Sequence, residues 1–184
     1  IGLDLIESIA DVYLPDLKTL DSGLARRLFR APEYPSAATS AILRMAAAGS
    51  PEYDERGMLI KGTIVRHLVL PGMLENTRRV LEWYAENLAE RALLSVMFQY
   101  LPIHDTAGPH ATGTGVPAGA PARTIEDVEY YQVIGMLEDL GIDDGFVQEP
   151  EPDSPWFPDF QRENPFPDEY STVVWHWKHG FVRK

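Results

Sequence analysis

The sequence predicts an α/β protein built on a parallel β-sheet, and three observations carry that reading. The run Thr63-Ile-Val-Arg-His-Leu-Val69 favours an extended backbone, and a run this apolar reads as a strand buried on both faces. Strand-like and helix-like stretches alternate along the chain, which implies parallel strands joined by right-handed crossovers. The 184 residues are 45% hydrophobic, enough for one domain with a sizeable core and a short appendage.

In chain order, Leu3, Ile6 and Ala10 have helical spacing and predict a short amphipathic helix over Leu3 to Ala10. Val12-Tyr-Leu-Pro-Asp-Leu-Lys18 reads as a strand ending in charge, with Asp16 and Lys18 projecting on one face. Asp21-Ser22 caps a short helix through Phe29. Tyr34-Pro-Ser36 opens another, with serine as the cap, Ala38 and Ile42 in its buried stripe, and Gly49 at its close. Ser50 to Gly62 reads as a polar loop before the central strand. Pro71 and Gly72 end that strand, since proline removes a ladder donor and glycine permits a sharp turn.

Thr77 to Ala89 is an amphipathic helix with Val80, Leu81, Tyr84 and Leu88 inward, and Leu93 to Tyr100 is a second buried strand. Ala107 to Ala122 is rich in glycine, alanine, proline and threonine and predicts a long mobile or lid-like loop. Thr124-Ile-Glu-Asp127 resembles a capping box for a helix reaching about Leu140, and Phe146 to Glu149 reads as a last short strand. From Pro150 onward prolines alternate with Trp156, Phe157, Phe160 and Phe166. This tail is expected to pack on the domain, because disordered segments are poor in aromatics. Val173 to Lys178 is a candidate final strand, with Trp175 and Trp177 on one face.

The formal charge of −12, from 28 acidic and 16 basic residues, argues against a general nucleic-acid binder, whose affinity rests on basic patches. The chain has no cysteine, which excludes disulfides, thiolate metal sites and cysteine nucleophiles of its own. No apolar run approaches the roughly 20 residues of a membrane span, so a cytoplasmic location is expected. The chain starts at Ile1 with what reads as the interior of a domain, so a cut or processed terminus is expected.

In parallel sheets, function gathers at the carboxyl ends of the strands. Those ends are Asp16-Leu17-Lys18, Pro71-Gly72, Gln99-Tyr100 with His104, and Gln148-Glu149. Arg66 is the anomaly within the central strand. Desolvating a guanidinium is costly, so either a carboxylate such as Asp16 pairs with it or a bound anion does. His67 lies on the opposite face and is expected against a helix. His104, Asp105 and His110 lack a third histidine and sit around a flexible loop, so no metal site is predicted.

Tyr13-Leu-Pro-Asp-Leu-Lys18, Ile64-Val-Arg-His-Leu-Val-Leu-Pro-Gly72 and Ser95-Val-Met-Phe-Gln-Tyr100 together resemble the last three strands of a radical S-adenosylmethionine protein. The subgroup is that of pyruvate formate-lyase activating enzyme-like proteins. Ala31-Pro-Glu-Tyr-Pro35 and the Thr77 to Ala89 helix share the likeness, which covers residues 1–149 in the family's order. The resemblance implies the carboxyl-terminal half of a partial (β/α) barrel, followed by the proline- and aromatic-rich tail 150–184. It implies a parent protein that cleaves S-adenosylmethionine reductively with a 4Fe-4S cluster. The resulting 5′-deoxyadenosyl radical would abstract hydrogen from a glycine of a partner enzyme, a glycyl radical enzyme. The family's C-x3-C-x2-C cluster loop and glycine-rich turn are not in this sequence, so the chain is expected to be inactive alone and to hold no cluster.

By the same resemblance, Asp16 and Lys18 lie against the cofactor ribose and carboxylate, and Arg66 points into the barrel. Leu70, Pro71 and Gly72 line the adenine side, while Gln99, Tyr100 and His104 help close the pocket. No catalytic residue is assigned within this chain. A different class of reading is a non-catalytic α/β binding or interaction domain. A half-barrel would leave an open strand edge and an apolar inner face, which predicts a homodimer or another cover.

Overall fold

The computed structural model describes residues 2–102, 119–150, 175–176 and 180–181. The chain divides into two compact units, residues 1–150 and 151–184. In the first, a five-stranded sheet has the order β1-β3-β4-β5, with β2 paired to β3 off that path. Strands β1 (Val12–Tyr13), β3 (Leu59–Leu68), β4 (Leu93–Met97) and β5 (Gly145–Val147) are mutually parallel. Helices α2 (Ser22–Phe29) and α3 (Tyr34–Ala47) lie between β1 and β3, α4 (Leu74–Leu88) between β3 and β4, and α5 (Asp127–Asp139) between β4 and β5. The protein is therefore α/β with a mostly parallel sheet, as the alternation predicts.

Strands added in chain order in one direction, each through a right-handed crossover, collect their helices on one face. The core has that form. Ile42 of α3, Val80, Leu81 and Tyr84 of α4, and Val133 and Met136 of α5 pack in one cluster with Val65, Val69, Leu94 and Val96 of the sheet region. On β3 and its extension, Thr63, Val65, His67 and Val69 are fully buried, while Ile64, Arg66 and Leu68 are half-buried. This corrects the expectation of a strand buried on both faces. The helices cover one face of the sheet, and the alternate residues stand on the other.

Other boundaries differ for local reasons. Regular β1 stops at Tyr13 because Pro15 interrupts it, yet the ladder resumes beyond. Arg66 N–H donates to Pro15 O at 2.8 Å and Leu17 N–H to Arg66 O at 2.9 Å, which makes an isolated parallel bridge between Asp16 and Arg66. The supposed loop 50–62 holds an antiparallel pair, β2 (Glu52–Tyr53) against the start of β3. Asp54 Oδ1 accepts the N–H groups of Arg56 and Met58 at 2.9 Å and builds the turn, with Gly57 at φ +76°; this is side-chain turn chemistry that a polar stretch conceals.

Helix α1 (Gly2–Ile6) is shorter than predicted and has no buried residue. Ser36 does not cap α3, since its hydroxyl donates to Glu33 O and Pro35 fills the first turn. The box before α5 falls two residues later than predicted, with Glu126 at the cap and Glu129 accepting its N–H. In the second unit, β6 (Trp175–His176) pairs antiparallel with β7 (Gly180–Phe181). The expected loop 107–122 lies outside the described residues up to 118, as do His104 and the aromatic stretch Trp156 to Phe166.

Candidate functional site

The open face of the sheet carries one transverse row of side chains. Parallel partners project to the same side, and the register aligns Asp16 with Arg66, Arg66 with Ser95, and Ser95 with Phe146. Asp16 and Arg66 are thus cross-strand neighbours, as the carboxylate alternative for Arg66 requires. Arg66 Nη2 lies 2.8 Å from Asp16 Oδ1, and Lys18 Nζ lies 3.4 Å from Asp16 Oδ2. Lys18 also sits 5.8 Å from the centre of the Phe29 ring, within range of a cation–π contact. A lone carboxylate therefore holds two cations apart at the edge of the open face.

The pair is close but not saturated. Among the described residues, neither Asp16 Oδ1 nor Arg66 Nε has a hydrogen-bond partner of good geometry, although both atoms are buried. Asp16 Oδ1 is nevertheless held by the Arg66 charge at 2.8 Å, so Arg66 Nε is the atom of the pair left without a partner.

The backbone beneath these charges is pinned by residues not anticipated as part of the site. Tyr34 Oη accepts the Lys18 N–H at 3.0 Å and donates to Asp16 O at 2.7 Å. Burial raises the Tyr34 pKa, so the phenol stays protonated and keeps its donor. Asn76, in the first turns of α4, donates through Nδ2 to Lys18 O at 3.0 Å. Tyr34 belongs to the Ala31-Pro-Glu-Tyr-Pro35 stretch, which the sequence singled out without this role. Asn76 left no signal beyond a polar residue at a helix start. Between the first turns of α2 and α4 opens a cleft of about 420 Å³, lined by Asp21, Arg27, Met73, Asn76 and Arg79 among others.

The remaining predicted residues spread along the carboxyl ends and make separate contacts. Leu70 and Pro71 are buried, and Gly72 turns with φ +72°. Gly72 N–H donates to Glu129 Oε1 at 2.7 Å. Gln99 Oε1 accepts from Gln148 Nε2 at 3.0 Å, joining the ends of the last two parallel strands. Tyr100 Oη donates to Pro121 O at 2.9 Å. Asp16, Lys18 and Arg66 therefore form one contacting group, while Tyr100 and Gln99 bond elsewhere, and His104 lies outside the described residues.

Immediately behind the row, His67 is fully buried, with Nδ1 2.7 Å from Leu17 O and Nε2 3.1 Å from Thr77 Oγ1. Desolvation pushes its pKa down to about 4, so it is neutral at physiological pH. With Nδ1 protonated toward the Leu17 carbonyl, Nε2 accepts from the threonine hydroxyl. It ties the Asp16 to Lys18 segment to α4 and stands against the helices, as the sequence predicts. Among the described residues no group of three or more metal-ligating side chains is placed to hold a metal ion, and no helix is long and apolar enough to cross a membrane.

Comparison with known proteins adds one distant relative. Over 107 residues the chain is 32% identical to an uncharacterized protein of Methanocaldococcus jannaschii. The match covers 55% of this chain and 26% of that protein, so the chain spans about a quarter of its relative's length. No protein-family model matches the chain, and no solved structure matches it.

Proposed function

We propose that the chain is the carboxyl-terminal part of a radical S-adenosylmethionine protein resembling pyruvate formate-lyase activating enzyme. The observation that carries this reading is the Asp16, Lys18 and Arg66 group on the face of consecutive parallel strands that the described helices leave free. These are residues the resemblance assigns to the cofactor, and they are adjacent in space although about 50 positions apart in sequence (Asp16 to Arg66). Helices on one face only suit a partial barrel, whose inner face is this open one.

The residues fit S-adenosylmethionine in chemistry. Asp16 supplies an acceptor for hydroxyl donors, and Lys18 and Arg66 supply cationic donors for a carboxylate. Without a cysteine, the chain fits no iron–sulfur cluster by itself; in this reading the ligating thiolates belong to polypeptide outside this sequence. A cluster bound there supplies the electron for reductive cleavage of the cofactor. This chain's share is to hold the cofactor and screen it from water. Hydrogen abstraction from a glycine of a partner enzyme is the product chemistry we favour.

The test is to express this sequence together with the coding sequence that precedes it in its genome. The protein is reconstituted with iron, sulfide and reductant, and 5′-deoxyadenosine is measured. We expect turnover that needs the upstream part and falls at least tenfold in Asp16→Ala and Arg66→Ala. No C-x3-C-x2-C run upstream, or no 5′-deoxyadenosine from the joined protein, overturns the reading in favour of a binding domain.

A further inference from the structure

One carboxylate that the sequence reading did not single out bonds directly to a predicted site residue, Gly72. Glu129, in the first turn of α5, is the only acidic side chain buried among the described residues, with 6% of its surface exposed. Its two oxygens accept four donors. Oε1 takes Gly72 N–H at 2.7 Å and Arg123 Nη2 at 2.9 Å, and Oε2 takes Arg123 Nη1 at 2.6 Å and Glu126 N–H at 3.0 Å. A carboxylate has about four lone-pair positions, so this one is saturated. The bond to Gly72 spans 57 residues of sequence.

The same short run that supplies Arg123 reaches two other strand-end elements. Pro121 O accepts from Tyr100 beyond β4, and Gly119 lies so close to the Arg27 side chain of α2 that an added Cβ would stand 3.0 Å from its Cδ. Residues 119–123 therefore touch α2, the end of β4 and, through Glu129, the turn after β3. The Gly72 N–H is held toward α5, Pro71 has no N–H, and Met73 N–H is bonded to Leu70 O at 3.1 Å.

We propose that Glu129 and Arg123 are positioning residues that lock the Leu70-Pro71-Gly72 turn and fasten the 119–123 run to it. The geometry at the carboxyl end of β3 is then set from α5 as well as from the strand. Only the part of the proposal concerning what this turn faces rests on the preceding reading.

The test is amide hydrogen exchange on the chain as it stands, followed at Leu70, Gly72 and residues 119–123. Glu129→Gln should speed exchange at Gly72 at least tenfold. Arg123 is 44% exposed, so Arg123→Met removes two donors without opening the core, and it should give a smaller rise that Arg123→Lys partly restores. Unchanged exchange at Gly72 in both Glu129→Gln and Arg123→Met overturns the latch. S-adenosylmethionine titrated into the same variants supplies the second readout. Affinity falling in the order of the exchange rates supports both ideas. Faster exchange with unchanged affinity keeps the latch and removes the cofactor-facing reading of the turn.

Discussion

Arg66 and His67 are consecutive in one strand and occupy opposite physical worlds. His67 faces the helices, is fully buried, is neutral, and has a partner on each ring nitrogen. Arg66 faces the side away from the helices, is charged, leaves 41% of its side chain exposed, and has no partner for Nε among the described residues. Side chains alternate at every residue of a strand, so one step moves from the helix-covered face to the other, although Thr63 Oγ1 on the covered face also lacks a partner among the described residues. The covered face spends its chemistry on stability. The open face leaves polar atoms near the surface, where a ligand or another surface can meet them. Exposed apolar residues accompany them, including Leu14 and Phe146, each 54% exposed.

The sharpest way to break this comparison is to truncate both faces. Leu81, fully buried in the helix layer, should lose about 3 kcal/mol on change to Ala, by transfer and cavity costs. Leu68, half-buried on the open face, should lose under about 1 kcal/mol in urea unfolding. Equal losses would show that the open face is covered after all.

Acid should act through His67. Its folded pKa lies below the ordinary 6.5, at about 4, so between those values the unfolded state binds the proton and the folded state does not. His67 therefore costs nothing above pH 6.5, and stability falls as pH drops from 6.5 to about 4. The full loss is up to about 3 kcal/mol. His67→Gln should flatten this part of the stability profile while lowering stability at neutral pH.

Glu129 should act in a lower window. Its carboxyl is held down to about 2, first by the Arg123 guanidinium and then by the backbone donors of Glu126 and Gly72. A depressed carboxyl stabilises above its unfolded value of 4.5, and this contribution disappears as pH falls from 4.5 through about 2. We expect a loss of roughly 2 kcal/mol, discounted for the exposed partner. Glu129→Gln should remove the low-pH step and leave the His67 step in place.

The smallest effect on stability should come from the charges that matter most to the proposed site. Asp16→Asn and Arg66→Gln each break a half-exposed ion pair, worth about 0–1 kcal/mol. Chemical denaturation should barely register them, whereas S-adenosylmethionine binding to the joined protein should fall at least tenfold. Last, a sheet face and edge that the described residues leave uncovered predict self-association. Sedimentation over a wide concentration range should show a dimer that dissociates on dilution, and a strict monomer would remove that expectation.

Much of this was legible in the residues. Hydrophobic periodicity marked α4 and β4 closely, because local pattern and burial agree there. The pairing of Asp16 with Arg66 was legible as an alternative, since a guanidinium inside a strand demands an anion. The turn at Asp54 to Gly57 was missed because its organising bonds run from a side chain to the backbone, a pattern that polarity alone does not report. Tyr34 and Asn76 were missed because their role is to hold the backbone of distant residues. Glu129 was hidden for the same reason, since its anchor at Gly72 lies far along the chain.

The sequence by itself determined most of the stretches that extend or coil, that the principal strands β1, β3, β4 and β5 run parallel, and that no thiolate chemistry resides here. Those follow from side-chain period, chain connectivity and composition, all local or additive properties. Only the tertiary structure decided that the described helices lie on one face, that Asp16 is the neighbour of Arg66 on the other, and that a buried glutamate braces the strand-end turn. These depend on register and on contacts between distant segments. A one-residue shift in register would leave every local pattern intact and reverse each of those outcomes.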